Sequence, residues 1–258
     1  MTPLRKILLL AVVALMTTVA YGQDTLQVRI MTYNMRFGER ASIEDFAAFI
    51  KQQAPDFVAL QEVDCRNSRN DTPQHNGRDF IADLAQQTGM FGLYGKAINF
   101  AGGYYGIGIL SKYPYIEVKK TMLPNPKGNE QRVLLEASFE LPHDTLTMAC
   151  THLDYEYPTV IEEQTAFLCQ HFEHHDSPTI IVGDFNTTPE TRAINIMTKN
   201  WNNLSGDAPT YPSEVPSKKL DYIFTDQHHN WSVVNASTIQ THLSDHLPII
   251  CNLILVKP

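Results

Sequence analysis

TIIVGDFNTTP, residues 179–189, is an apolar run that ends abruptly in reactive chemistry. Thr179 to Gly183 has the composition of a strand buried on both faces. Asp184 and Asn186 then fall at its C-terminal end, with Pro189 ahead of a helical stretch. Alone, the two polar residues fit an Asx turn equally well. The same construction recurs elsewhere: QVRIMTYN (27–34) ends on Asn34, DFVALQEV (56–63) ends with Gln61 and Glu62, and LTMACTHLD (146–154) ends with His152 and Asp154. Two further runs are built in reverse, since Asp221 opens LDYIF (220–224) and Asp245-His246 precede LPIICNLIL (247–255). If these last two strands run antiparallel to the first four, all six groups meet at one rim of the sheets. Carboxylates, carboxamides and two histidines gathered there form a hard-cation site with acid–base groups beside it.

Outward from these runs, β-rich segments alternate with amphipathic ones. Further strands are expected at 91–98, 104–111, 115–122, 132–140 and 231–236, and a polar loop at 64–77. Helices are expected at 42–53, with Ser42 as N-cap and Ile43, Phe46, Ala47 and Ile50 on one face, and at 78–88, 160–172 and 190–198. No repeat or linker divides the chain. At least nine strands with three or four helices predict an α+β architecture in which two packed sheets are flanked by helices.

Residues 1–22 read as a secretory leader: Arg5 and Lys6 precede an apolar stretch from Ile7 to Ala20, and Ala20-Tyr21-Gly22 places small residues at the cleavage positions. An uncleaved anchor is the other reading, though the stretch is shorter than the roughly 20 residues a spanning helix needs. The expected organisation is therefore a signal peptide (1–22) and one catalytic domain (23–258), exported to the periplasm or the outside medium. Removing Arg5 and Lys6 takes the net charge from −8 to −10, which disfavours a polyanionic nucleic acid as partner. The four cysteines lack metal-site spacing; Cys150 and Cys251 sit in apolar strands and read as core residues.

MTYNMRFG, ALQEVD, GIGILSKYP, THLDY, IVGDFNTTP, LDYIF and LSDHLPI occur in this order between about residues 30 and 250. In this the chain resembles the endonuclease/exonuclease/phosphatase superfamily. The resemblance implies a four-layer αββα sandwich of two mixed sheets, and hydrolysis of a phosphoester with a divalent cation, usually Mg²⁺, with Mn²⁺ as substitute. It further implies that Glu62 is the main metal-ligating carboxylate, with Asn34 and Asp245 on the metal side. Asp184 and Asn186 resemble the pair that orients and deprotonates the attacking water. His246 resembles the phosphate-binding histidine, Asp221 the carboxylate that sets its tautomer, and His152 a second histidine at the phosphate or the leaving oxygen.

Each residue also has a plainer reading: Asp221 as a surface partner of Lys218 or Lys219, His152 as a structural histidine, Asn34 as a turn residue. Arg66 and Arg69 read as an exposed loop pair, His174-His175 and His228-His229 as solvated loops, and Tyr104-Tyr105 either as cleft-lining or as strand aromatics. Substrate choice lies in loops that carry no Lys/Arg run. The expected partner is a small phosphomonoester or phosphodiester, or a lipid-headgroup ester. A secreted nuclease, a sphingomyelinase-like enzyme and a catalytically silent binding module are the alternatives.

Overall fold

In a computed structural model, which describes residues 25–142 and 144–256, alternation along the buried strands sets the layers. One sheet has the order β11 (Asn230–Thr238), β12 (Ile249–Val256), β1 (Thr25–Asn34), β2 (Phe57–Cys65), β4 (Gly103–Ser111), β3 (Phe91–Phe100). The other has the order β5 (Tyr115–Met122), β6 (Val133–Leu141), β7 (Asp144–His152), β8 (Thr179–Asp184), β10 (Asp221–Asp226), β9 (Trp201–Asn203). Val28 and Ile30 of β1, Val182 of β8 and Ile223 of β10 point into the space between the sheets. There Phe57 and Phe139 join the two layers edge to face, with ring centroids 4.9 Å apart.

The opposite faces of the same strands carry Met31 and Tyr33, which pack under α1 (Ile43–Gln53) and α2 (Phe80–Thr88). Likewise Ile181, Tyr222 and Phe224 pack under α3 (Pro158–His171) and α4 (Arg192–Asn200). Both faces of the central strands are covered, which is why their sequences are almost continuously apolar. The result is the expected αββα sandwich.

Ser42 caps α1 as its position suggests, accepting from the Asp45 backbone N–H while Asp45 accepts from that of Ser42. Other boundaries differ from expectation. The second helix starts at Phe80, because Asp79 takes the capping role. The third starts two residues early on Pro158, suited to a first helical turn. The fourth starts at Arg192, since Thr188 and Thr191 close a turn first. The three-residue β9 was not anticipated, and β2 runs through the expected loop start to Cys65. The segment expected to be a leader, residues 1–22, lies outside the described residues.

β1 and β2 are parallel, as are β7 and β8, whereas β12 and β10 run antiparallel to their neighbours β1 and β8. Strand ends and strand starts therefore meet at one rim. Gly183 is critical to that register. It lies opposite Thr151 with φ +151°, and a Cβ there would stand 1.9 Å from the Thr151 carbonyl oxygen. Gly183→Ala must push β7 from β8, and with them His152 from Asp184. We expect a loss of about 3 kcal/mol in urea unfolding, together with reduced activity. An unchanged midpoint would show that the strands can part without cost.

Candidate active site

Six strands deliver the polar groups. The first sheet supplies Asn34 from the end of β1, Glu62 from β2, and Asp245 and His246 from the segment entering β12. The second supplies His152 and Asp184 from the ends of β7 and β8, which are direct register partners, and Asp221 from the start of β10, opposite Asp184. Glu62 is not at a strand end. It lies in a bulge where the β2–β4 register shifts between Leu60 and Val63, with φ 56°. A bulge re-aims a side chain that regular alternation would send elsewhere.

Asp184 is the hub. Its Oδ2 accepts from Asn34 Nδ2 at 3.0 Å, and its Oδ1 accepts from the Asn186 backbone N–H at 2.8 Å. The Nε2 atoms of His246 and His152 stand 3.6 and 3.7 Å from Oδ2. Asn34 Nδ2 also donates to Glu62 Oε1 at 3.0 Å, so one carboxamide ties the two sheets' carboxylates together. Asn186, with φ 51°, anchors its Nδ2 on the Leu153 carbonyl at 3.0 Å. His246 Nδ1 donates to Asp221 Oδ2 at 2.9 Å.

Burial shapes the electrostatics. It raises the Asp184 carboxyl well above the usual range, and Asp221 reinforces this against the opposing pull of His246. Burial alone would push the His246 imidazole down, but Asp221 and Asp184 outweigh it and hold the ring up at about 10. His246 is thus cationic at neutral pH. Glu62 is also raised, by burial first and further by Asp245, against the Asn34 hydrogen bond.

Asp221 holds His246, while Lys219 buries its ammonium over the Tyr222 ring at 4.9 Å without a hydrogen-bond partner. Arg69 is not exposed: its side chain is 12% accessible, paired with Asp64 at 2.6 Å and stacked 3.9 Å from the Phe37 ring centroid and 4.2 Å from that of Phe100. Apolar rings supplied by two other segments cover it, which loop composition did not reveal. Tyr104 is exposed and Tyr105 buried, as expected of neighbours on a strand. His174 and His228 line one cavity of about 640 Å³ beside Trp201, but no tight metal-binding group forms there among the described residues. The four cysteines are free thiols.

Two arginines were missed. Arg36 pairs with Asp245 and with Glu39. Arg132 donates to His152 Nδ1 at 3.0 Å. Arg36 lies two residues beyond the QVRIMTYN run and Arg132 opens the strand expected at 132–140, and a single arginine there has no distinguishing pattern.

The expected metal residues are not drawn together equally. Among the described residues, the tight group of candidate ligand atoms, all within 4.8 Å, is Asp184, Asp221 and His246. Its His246–Asp221 bond already uses Nδ1, which reads as a proton-holding dyad. Asn34 Oδ1 accepts from the Arg36 backbone N–H at 2.9 Å, and Asp245 faces Arg36. Glu62 fits a hard cation best: an oxygen donor, raised by burial and by a second carboxylate, is stabilised by a divalent charge.

Buried carboxylates, a carboxamide and two histidines gathered at one rim of a two-sheet sandwich are the groups a hydrolytic phosphoryl site needs. The chain belongs to the endonuclease/exonuclease/phosphatase family, whose pattern it matches over residues 31–246. Members of this family are hydrolases of phosphoester bonds and generally depend on a divalent metal. Among solved structures it is similar to an endonuclease/exonuclease/phosphatase from Beutenbergia cavernae (21% identity, 89% of this chain and 72% of that one, TM-score 0.71). It is also similar to the human Nocturnin catalytic domain with bound sulfate (19%, 90% and 97%, TM-score 0.70). A third is a mannosyl-6-phosphatase from Bacteroides thetaiotaomicron (16%, 88% and 99%, TM-score 0.68). No curated protein gives a significant match.

Proposed function

We propose that the protein is an exported, Mg²⁺-dependent hydrolase of small phosphoesters that acts by in-line attack of an activated water. The observation that carries this reading is the convergence of His246 and His152 on Asp184 Oδ2, with Asn34 linking that carboxylate to Glu62. A base, a cationic histidine and a metal-type carboxylate surround one point.

The roles follow from charge. Asp184, poised by burial, takes the proton of the attacking water as the new P–O bond forms. Asn186 holds the loop that fixes Asp184. His246, charged and oriented by Asp221, opposes the negative charge on the phosphoryl oxygens as the ester P–O bond breaks. Glu62, Asp245 and Asn34 would hold the Mg²⁺ or Mn²⁺. When bound, the cation supplies Lewis-acid withdrawal of charge from a phosphoryl oxygen.

The acidic balance and the absence of basic runs favour a small ester or a lipid headgroup over DNA or RNA. Tyr155 is exposed, and its ring lies 5.9 Å from the Arg132 guanidinium, a suitable surface for the alcohol portion of such an ester. The likeness to a mannosyl-6-phosphatase is in keeping with this. Export rests on the leader at residues 1–22.

The test is turnover by the purified protein of a chromogenic phosphodiester, a sugar phosphate, sphingomyelin and DNA. We expect Mg²⁺-dependent hydrolysis, fastest on a small ester or lipid headgroup, falling to background in excess EDTA and returning when Mg²⁺ is restored. Full turnover in EDTA would overturn the metal assignment. A folded protein inactive on every ester would favour a silent binding module.

A further inference from the structure

His152 and His246 approach the same oxygen, Asp184 Oδ2, through the same ring atom, Nε2, yet their far nitrogens meet opposite charges. His246 Nδ1 faces the Asp221 carboxylate at 2.9 Å, an acceptor, so Nδ1 carries a proton. His152 Nδ1 faces Arg132 Nη1 at 3.0 Å. A guanidinium has five N–H donors, no acceptor, and does not lose its proton in proteins. His152 Nδ1 must therefore present its lone pair, which leaves the ring's single proton on Nε2, aimed into the site. A second proton would place two donors and two positive charges face to face.

The arrangement around Arg132 is built. Its side chain is 5% accessible and is held by Glu130 Oε1 at 3.0 Å, from the same Nη1 that serves His152. Its buried Nε has no hydrogen-bond partner, so packing and pairing do not fully account for a charge at this position. Tyr105 from β4 lines the same small cavity as His152, and Asp184 from β8 and His246 from the segment entering β12 face its ring. Among the described residues the hydrogen-bond partner of Nδ1 is Arg132, so the tautomer is set by Arg132.

We propose that Arg132 is a positioning residue that locks His152 as its neutral Nε2–H tautomer, making His152 a fixed hydrogen-bond donor to the phosphoryl group and not a proton-transferring acid. The catalytic half of this statement rests on the phosphoester-hydrolase reading; the tautomer does not. Under it the two histidines divide the work. His246 brings positive charge, His152 brings direction, and the leaving oxygen takes its proton from solvent.

Long-range ¹H–¹⁵N spectra of labelled full-length protein, with His152→Gln to assign the ring, read the tautomer directly. Wild type should show a bare Nδ1 and a protonated Nε2 at neutral pH. Arg132→Met should give a mixture of tautomers and lower kcat on the order of ten- to a hundredfold with KM little changed. Arg132→Lys, whose ammonium also only donates, should restore the wild-type spectrum and most of kcat. A protonated Nδ1 in wild type, or a spectrum unmoved in Arg132→Met, would overturn the proposal. Should Arg132→Met fail to fold, wild type and Arg132→Lys still decide the matter. An inactive protein with a bare Nδ1 would remove the hydrolase reading and leave the tautomer lock standing.

Discussion

Asp184→Asn is expected to abolish measurable hydrolysis, a loss of roughly 10³- to 10⁴-fold in kcat, in a protein that still folds. The carboxylate is the acceptor around which His152, His246 and Asn34 are arranged. An amide of the same shape takes no proton from water. The fold should survive because Asp184 is held mainly from the backbone: its carbonyl oxygen accepts from the Leu153 N–H at 2.9 Å, and β8 is paired on both sides. The hydrogen bond from Asn34 is lost, worth about 1 kcal/mol, and His246, though deprived of one nearby carboxylate, keeps its Asp221 partner. Kinetics with a matched urea titration separates the two effects. Wild-type rates in the purified variant would remove Asp184 from the chemistry altogether.

Asp221→Asn should cost roughly 10²- to 10⁴-fold and, more tellingly, move the pH profile. His246 acts as a cation, so activity is lost as pH rises through its pKa. Burial works against that charge, and Asp221 and Asp184 carry it up to about 10. With Asp221 neutralised the alkaline limb should fall toward the ordinary imidazole value of about 6.5. Stability follows the same sign. The raised histidine contributes stability that is fully present below about 6.5 and lost as pH rises through about 10. The variant should therefore lose its excess stability over that window. A slower enzyme with an unmoved alkaline limb would show that Asp221 serves packing alone.

Much of the site was legible because it is written at strand boundaries. A carboxylate closing TIIVG, or a histidine closing LTMACT, breaks an apolar run that has no other reason to end in that residue type. The layered fold was legible for a related reason. Strands buried on both faces must be covered on both faces, and the four amphipathic segments are the elements available to do it. Helix starts were less visible, since Asp79, Thr191 and Pro158 compete with their neighbours for the first turn.

Other features depend on contacts between distant segments. The bulge that turns Glu62 toward Asn34 depends on how β4 pairs with β2, and neither strand states its register locally. Arg69 looks like a loop cation until Phe37 and Phe100 close over it. Asp245 faces Arg36 across 209 residues, and Arg132 meets His152 across 20. Residue types and strand ends thus announced a hard-cation and acid–base site at one rim, because residue chemistry and apolar patterning are local properties of the chain. Which carboxylate ionises, which histidine is charged and which nitrogen carries the proton were decided only in three dimensions, because those depend on the nearest charge and on exclusion of water.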